Sequence, residues 1–335
     1  MFASPAAVGA VQCRQTTFHW EALVPVVRFA LRAACFAALT VATFFGGLLL
    51  LDRPHAAAAA HASAKLRVEH VGSDSMAFNV VATLITGPTE ALLWDTQYHL
   101  ADARRLADRI AASGKRLKAI VISHPDHDHF AGAAVIVERF PGTPVYMTAK
   151  ALAEYQRTAP SAFTAEKSRS PQKFADSIVT PRALPSMQLS VDGERLEVIP
   201  DLTGDVITGV NSVLWIPSIS TVLASDVVFD HVHAWLGSSD TTSRKAWRAS
   251  IARIASLAPK VVVAGHKRDA NAPDSPAVLA AMDRYLADFD ALRATSPDAP
   301  ALFQAMKAKY PDHAVAVLLR YSAQTAFRGL PPRHD

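Results

Sequence analysis

Apolar and polar positions alternate in short runs from residue 66 onward, separated by turn residues. Three β-rich runs come first, divided by GSDS and GP, and predict an antiparallel meander. They cover Leu66–Val71, Ala77–Thr86 and Glu90–Asp95. From Leu100 the apolar spacing becomes helical and ends at Gly114. The continuous apolar run Lys118–Ser123 then predicts a strand that is buried on both faces.

Helices and strands alternate in the next part of the chain. The pattern predicts a helix at Phe130–Phe140, a strand at Pro144–Met147 and a helix at Thr148–Thr158. The stretch Pro160–Pro185 is rich in Ser, Pro, Lys and Arg and predicts a long loop or lid. Further strands are predicted at Met187–Ser190, Arg195–Ile199, Val210–Ile216, Thr221–Ala224 and Lys260–Ala264. A helix is expected around Trp247, and mostly helix from Ser275 onward.

Two β-rich halves, each followed by helices, predict an α/β fold with four layers, an αββα sandwich. In such a sandwich the loops at one edge of both sheets converge. We therefore expect the chemistry of the chain at that edge.

The first 64 residues have a different composition. Arg28 and Arg32 precede the apolar run Ala33–Leu51, and an Ala-rich stretch ends in Ala-Ser-Ala at residues 62–64. This order predicts a Sec-type signal peptide, so that residues 65–335 form the mature domain, exported to the periplasm or secreted. The apolar run is also about as long as a membrane span, so an uncleaved anchor in the inner membrane is the alternative.

Composition narrows the possible partners. The formal charge of +4 is small for 335 residues, and no basic run alternates with aromatic residues, so nucleic acid is not an expected partner. We expect a small-molecule substrate, and membrane contact only through an uncleaved leader. Cys13 and Cys35 both lie in the leader, so the mature domain contains no disulfide and no thiolate ligand.

Four potential metal ligands lie within six residues, directly after the predicted strand Lys118–Ser123. They are His124, Asp126, Asp128 and His129, and helical spacing resumes immediately after them. Loops between a strand and a helix are where α/β proteins place their chemistry. The cluster predicts a metal site for one or two ions, with Zn²⁺ first and Mn²⁺ or iron next.

Residues 123–132, which read SHPDHDHFAG, resemble the metallo-β-lactamase signature [ST]-H-x-H-x-D-H-x-x-G. Three more segments resemble motifs of that superfamily and occur in the same order. They are LLWDT at 92–96, VLASD at 222–226 and VVAGH at 262–266. The resemblance extends from about Leu66 to His266 and implies the metallo-β-lactamase sandwich.

The resemblance also implies a division of the ligands between two metal positions. Asp128, His129 and His266 would form one position, His124 would belong to the other, and Asp226 would bridge them.

The sequence departs from the motifs of the superfamily at two residues, both at the metal position to which His124 would belong. Asp126 stands where the signature has its second His, and the segment that normally reads Gly-His-Thr is Gly204-Asp205-Val206. His124, Asp126 and Asp205 would then share this position. Such a set is more anionic than three imidazoles and favours manganese, iron or magnesium relative to them.

The activity implied by the resemblance is hydrolysis of an ester, a lactone or an amide by a metal-bound hydroxide, which Asp128 would orient. A β-lactamase is an alternative, although the two Asp replacements argue against a standard two-zinc enzyme. A non-catalytic binding protein with a degraded metal site is the second alternative.

Residues near the predicted ligands suggest a substrate pocket. His231 and His233 alternate shortly after Asp226, and Trp235 is a candidate apolar wall. Lys267 and Arg268 follow His266 and are candidates for holding a substrate carboxylate, with solvated charge as the alternative. Asp95 is expected to support the His-rich loop by hydrogen bonding and not to bind metal.

Overall fold

The computed structural model describes residues 66–206 and 209–329. The predicted leader, residues 1–64, lies outside the described residues, so the predictions of a signal peptide and of an anchor stay predictions. Within the described part of the chain, no helix is long and apolar enough to cross a membrane.

Six strands form the first sheet, in the order β1-β2-β3-β4-β5-β6. They are β1 (Arg67–Gly72), β2 (Val81–Thr86), β3 (Glu90–Trp94), β4 (Arg116–Val121), β5 (Val145–Met147) and β6 (Arg182–Ala183). The predicted meander is confirmed, because β1, β2 and β3 pair antiparallel. From β3 to β6 the pairing is parallel, with helical crossovers between most of the strands.

Five strands form the second sheet, in the order β12-β10-β9-β8-β7. They are β7 (Gln188–Val191), β8 (Glu194–Leu202), β9 (Asn211–Ile216), β10 (Thr221–Leu223) and β12 (Val261–Val263). All except the β10–β12 pair are antiparallel. A separate two-stranded pair joins β11 (Phe229–Asp230) to β13 (His266–Lys267) in parallel.

Eight α-helices are present in the described residues. They are α1 (Leu100–Ser113), α2 (His127–Phe130), α3 (Ala133–Arg139), α4 (Ala149–Arg169), α5 (Thr241–Ala255), α6 (Ala277–Thr295), α7 (Ala299–Lys309) and α8 (Ala316–Arg328). Helix α1 ends as predicted at Gly114, whose φ of 65° is left-handed. Helix α5 contains Trp247 as predicted, and Asp240 caps its N-terminus in a capping box with Ser243.

Three apolar cores define the predicted four layers. Side chains of both sheets, such as Ile85 and Leu214, pack together in the middle core. Alternate residues of the first sheet, such as Leu84, pack with α1, α3 and α4, whereas Val222 of the second sheet packs with α5 to α8. The prediction of an αββα sandwich is therefore confirmed.

One predicted boundary is wrong. The first ten residues of the expected loop, 160–169, belong instead to α4, which continues to Arg169. Proline removes a backbone donor and usually interrupts a helix. Here the stripe of Tyr155, Ala159 and Phe163 is buried at helical spacing, and this packing offsets the lost hydrogen bond.

Candidate metal centre

The predicted ligands come together where strands of both sheets end. His124 follows β4, Asp226 follows β10, and His266 follows β12, so their positions are set by the carboxyl ends of these strands. Gly265 permits the closest approach. A Cβ at Gly265 would lie 2.3 Å from Asp226 Oδ1 and 2.4 Å from the carbonyl carbon of Ser225. Only glycine lets His266 and Asp226 sit together as they do.

Each of the three imidazoles has its Nδ1 atom engaged and its Nε2 atom directed to the centre. His129 Nδ1 lies 3.0 Å from Asp95 Oδ2, and His266 Nδ1 lies 2.8 Å from the Phe78 carbonyl oxygen. His124 Nδ1 lies 2.9 Å from Ser123 Oγ. A partner on one ring nitrogen fixes the ring and leaves the other nitrogen available to a metal.

Carboxylates face these Nε2 atoms. Asp226 Oδ1 lies 3.0 Å from His129 Nε2, and Asp226 Oδ2 lies 3.0 Å from His266 Nε2. His266 Nε2 is also 3.5 Å from Asp128 Oδ2. Asp226 therefore lies between two imidazoles, at the point where a bridging ligand was predicted.

The ligand atoms fall into two groups around Asp226. In each group, the three donor atoms lie within 4.8 Å of one another. We call His124, Asp126 and Asp205 the first group, and Asp128, His129 and His266 the second group. Asp226 itself forms a third such set with His124 and His129. The structure thus brings together all seven predicted ligands, in the division implied by the signature.

Burial and charge shift the pKa values within this cluster in opposite directions. Burial, then the charges of Asp226 and Asp126, hold the pKa of Asp205 well above its usual range. Burial would also raise the pKa of Asp226, but His129 and His266 outweigh it and bring that pKa well below its usual range. Burial and the neighbouring His129 lower the pKa of His124 to about 4, so its ring is neutral and free to ligate.

Asp95 supports the candidate metal centre by hydrogen bonds to the loops that carry its residues. It is 1% exposed and accepts hydrogen bonds from Ser123 N at 2.7 Å and from Ser225 Oγ at 2.9 Å, besides its contact with His129. One carboxylate thereby connects the loop after β4 to the loop after β10. The expectation that Asp95 supports the His-rich loop by hydrogen bonding is confirmed.

Four buried polar atoms at the centre make no hydrogen bond: His124 Nε2, His129 Nε2, Asp205 Oδ1 and Asp226 Oδ1. His129 Nε2 and Asp226 Oδ1 approach each other only as an ion pair, at 3.0 Å. Buried polar groups are nearly always paired, so a cluster of unpaired donor atoms needs a further occupant. Imidazole nitrogens and carboxylate oxygens suit a divalent cation such as Zn²⁺ or Mn²⁺. The residues therefore fit the metal that the signature implies.

Asp126 differs from the other ligands because it already has a protein partner. Its Oδ1 accepts a hydrogen bond from His127 N at 2.7 Å and lies 2.9 Å from His127 Nδ1. Burial opposes ionisation of Asp126, but the hydrogen bond and charge of His127 outweigh it and lower its pKa. His127 thus acts on Asp126 at the edge of the first group and is not among the grouped ligands.

A cavity of about 430 Å³ opens over the centre. Asp128, Asp205, Asp226 and His266 line its floor, and the predicted wall residue Trp235 lines its side.

His231 and His233 do not line this cavity, and the structure corrects the prediction for both. His231 lies in a separate cavity on the far side of Phe229, and His233 is fully buried with Nδ1 2.9 Å from Tyr285 Oη. The cause is a left-handed residue: His231 has a φ of 52°, which breaks the extended alternation on which the prediction depended.

Neither predicted carboxylate-binding cation reaches the cavity. Lys267 is buried against Asp274 and the Ala272 carbonyl oxygen, and Arg268 donates to the Asp312 carbonyl oxygen. Sequence reasoning missed the acidic residues of the cavity wall, Glu154 and Glu166. Glu166 lies in the stretch after Pro160 that was predicted to be a loop, and helical spacing through Tyr155, Ala159 and Phe163 was the signal that could have found it.

The comparisons with known proteins agree with this fold. The family model of the metallo-beta-lactamase superfamily matches residues 76–266, and the chain belongs to this superfamily.

Among solved structures, a metallo-beta-lactamase family protein from Thermus thermophilus is 21% identical, with a TM-score of 0.56 and coverage of 76% of this chain and 92% of that one. A metallo-beta-lactamase from Pontibacter korlensis is 19% identical, with a TM-score of 0.49 and coverage of 68% and 96%. No curated protein matches the chain. At 21% identity the Thermus thermophilus structure shows the fold alone.

Proposed function

We propose that this chain is a metal-dependent hydrolase that cleaves an ester, a lactone or an amide. The observation that carries the proposal is the set of unpaired, buried donor atoms of His124, His129, Asp205 and Asp226 beneath an open cavity. Unpaired buried polar atoms cost stability, and such strain is typically kept where it serves a function. Zn²⁺ is the first candidate for the ion, and Mn²⁺ or iron the next.

The first and second groups would hold the ions, with Asp226 between them. A divalent cation supplies Lewis acidity and an activated water at neutral pH. Asp128 lines the cavity, and burial, with a contribution from Asp126, raises its pKa to about 6. A carboxylate oxygen of Asp128 orients the attacking water and can hold its proton. The fixed imidazoles keep these groups in place during the reaction.

The test is metal analysis together with a hydrolysis panel of lactones, aryl esters and cephalosporins. Protein lacking residues 1–64 is purified from medium supplemented with zinc and manganese. We expect at least one tightly bound equivalent and turnover of one class of substrate. Less than about half an equivalent of metal would overturn the proposal, because ligand sets of this kind retain their ions tightly. Full metal without any turnover would favour a non-catalytic binding protein.

Export is a separate proposal. The basic flank, apolar run and Ala-Ser-Ala exit of the leader support removal of residues 1–64 during secretion to the periplasm or beyond. N-terminal sequencing of protein expressed with its leader should begin just after Ala64. An intact leader in the membrane fraction would support the anchored form instead.

A further inference from the structure

The walls of the cavity over the metal centre differ in chemistry from its floor. Apolar and aromatic side chains form much of the wall, among them Phe78, Tyr98, Val210, Trp235 and Leu318. The one polar atom of the Trp235 ring is already satisfied, because Nε1 donates to Ser238 Oγ at 2.9 Å. The indole therefore presents mainly carbon to whatever occupies the cavity.

No residue that lines the cavity in the described part of the chain is Lys or Arg. The acidic side chains of the upper wall are Glu154 and Glu166, both from α4. Each has an arginine partner on the outer side: Arg157 Nη2 lies 2.7 Å from Glu154 Oε1, and Arg169 pairs with Glu166. These arginine side chains are 46% and 67% exposed, so solvent screens their charge from the cavity.

Bound metal ions would not reverse this balance. Two divalent cations would match the charge of four aspartates, namely Asp126, Asp128, Asp205 and Asp226. A substrate anion would find no cation among the wall residues and would also lose hydration against the apolar walls. An uncharged substrate meets neither cost.

The exposed apolar surface of the described residues lies beside the same cavity. The large hydrophobic side chains that are exposed are Met76, Val317 and Tyr321, at 66%, 45% and 53%. Met76 lies two residues before Phe78, Val317 precedes Leu318, and the Tyr321 ring is 6.4 Å from that of Trp235. Exposed apolar groups that cluster beside a pocket mark a binding surface.

We propose that the substrate is an uncharged carboxylic ester, open-chain or cyclic, with an apolar acyl chain that extends from the cavity towards Met76, Val317 and Tyr321. The ester carbonyl lies over the metal centre, and the chain lies against Trp235 and Leu318. This inference rests on the proposed function, since it assigns the substrate class of the same site. Carboxylate-bearing substrates, cephalosporins included, are poor substrates on this view.

The first experiment compares esters that differ in one feature at a time. The 4-nitrophenyl esters of acetate, butyrate, hexanoate and octanoate vary chain length, and the 4-nitrophenyl monoester of adipate adds a terminal carboxylate. We expect kcat/KM to rise about threefold or more for each added pair of methylenes, because each buried methylene favours binding. We expect the adipate monoester to be at least about fivefold poorer than the hexanoate ester.

A binding measurement separates recognition from catalysis. The hexyl ether of 4-nitrophenol and 6-(4-nitrophenoxy)hexanoate contain no cleavable acyl group and differ mainly in terminal charge. Calorimetry on zinc-loaded protein should give a Kd for the ether at least about fivefold lower than for the anion. Equal affinity for the two ligands would overturn the inference.

Two substitutions should reduce the difference in affinity between the ether and the anion. Leu318→Lys places a cation in the wall, and Glu154→Gln removes an anion from it. Both should bring the two ligands closer in affinity. The matched control is Gln304→Lys, which adds the same charge on the exposed face of α7 away from the cavity and should leave the ratio unchanged. Circular dichroism and metal content show whether each variant folds.

Failure of the inference and failure of the proposed function give different results. If esters are cleaved but the anionic ester is cleaved as well as the neutral one, the substrate assignment is wrong and the hydrolase proposal stands. If no ester, lactone or cephalosporin is cleaved but the ether binds more tightly than the anion, the preference of the cavity for uncharged ligands stands and the hydrolase proposal is refuted.

Discussion

The two groups of ligands at the centre are built differently, although they share Asp226. In the second group, His129 and His266 are fixed by Asp95 and by the Phe78 carbonyl oxygen. The first group has one imidazole and two carboxylates, and one of these carboxylates is already bonded to His127. The pKa of Asp205 is held well above its usual range until a cation offsets the nearby negative charge. The second group is therefore preorganised, whereas the first depends on its ion.

The largest expected effect comes from His129, which takes part in the second group and in the set around Asp226. Its substitution should release metal from both positions. For His129→Ala we expect hydrolysis to fall at least about 100-fold, beyond the loss that a supporting residue causes, together with metal content. Mass spectrometry for metals and the hydrolysis panel measure this. The control is His231→Asn, which removes an exposed imidazole outside the cavity and tolerates the φ of 52° at this position. Full metal in His129→Ala would contradict the assignment.

A more selective effect is expected from Asp205→Ala. This change removes an oxygen of the first group and leaves the second group intact. Metal content should fall by one equivalent from that of the unsubstituted protein, and hydrolysis by about 10- to 100-fold. Asp201→Asn removes the charge of an exposed carboxylate, tolerates the φ of 61° at this position and serves as the control. An unchanged stoichiometry would remove Asp205 from the first group.

Substitution of Asp95 tests whether the second group binds metal more tightly because its imidazoles are held in place. Asp95→Asn keeps the shape and tolerates the φ of 60° at this position, but weakens the interactions with His129, Ser123 and Ser225. Metal affinity should fall about 10- to 100-fold, with the greater loss at the second group. Titration with a chelator that competes for zinc measures it. The control is Asp108→Asn, on the exposed face of α1, which should leave the metal affinity unchanged. If Asp95→Asn binds metal as tightly as the unsubstituted protein does, Asp95 does not support the centre.

The sequence predicted the centre better than the cavity above it, for a physical reason. Ligands such as His124 and His266 directly follow buried strands, and apolar runs reveal where such strands end. The αββα layers were predictable from the same runs. The wall is different, because it is assembled from distant segments by tertiary packing.

Glu166 reaches the cavity only because α4 continues through Pro160, a residue that usually ends a helix. The prediction that His231 lines the substrate pocket was wrong for a similar reason, because the neighbouring residues do not indicate a left-handed backbone at this position. Residues whose place depends on a single backbone angle or on packing between remote elements are therefore beyond simple periodicity.

The smallest expected effect concerns which metal the first group prefers. Asp126→His replaces a carboxylate of the first group with an imidazole and should shift that group towards zinc, since imidazole suits zinc and carboxylate suits manganese. After growth with equal zinc and manganese, we expect the zinc-to-manganese ratio of the bound metal to rise a few-fold, on the order of what one ligand exchange contributes. Glu138→His, on the exposed surface of α3, should not change the ratio. If Asp126→His also leaves it unchanged, Asp126 contributes no ligand oxygen. The ion of the first group would then be held by His124, Asp205 and Asp226 alone, without a ligand from Asp126.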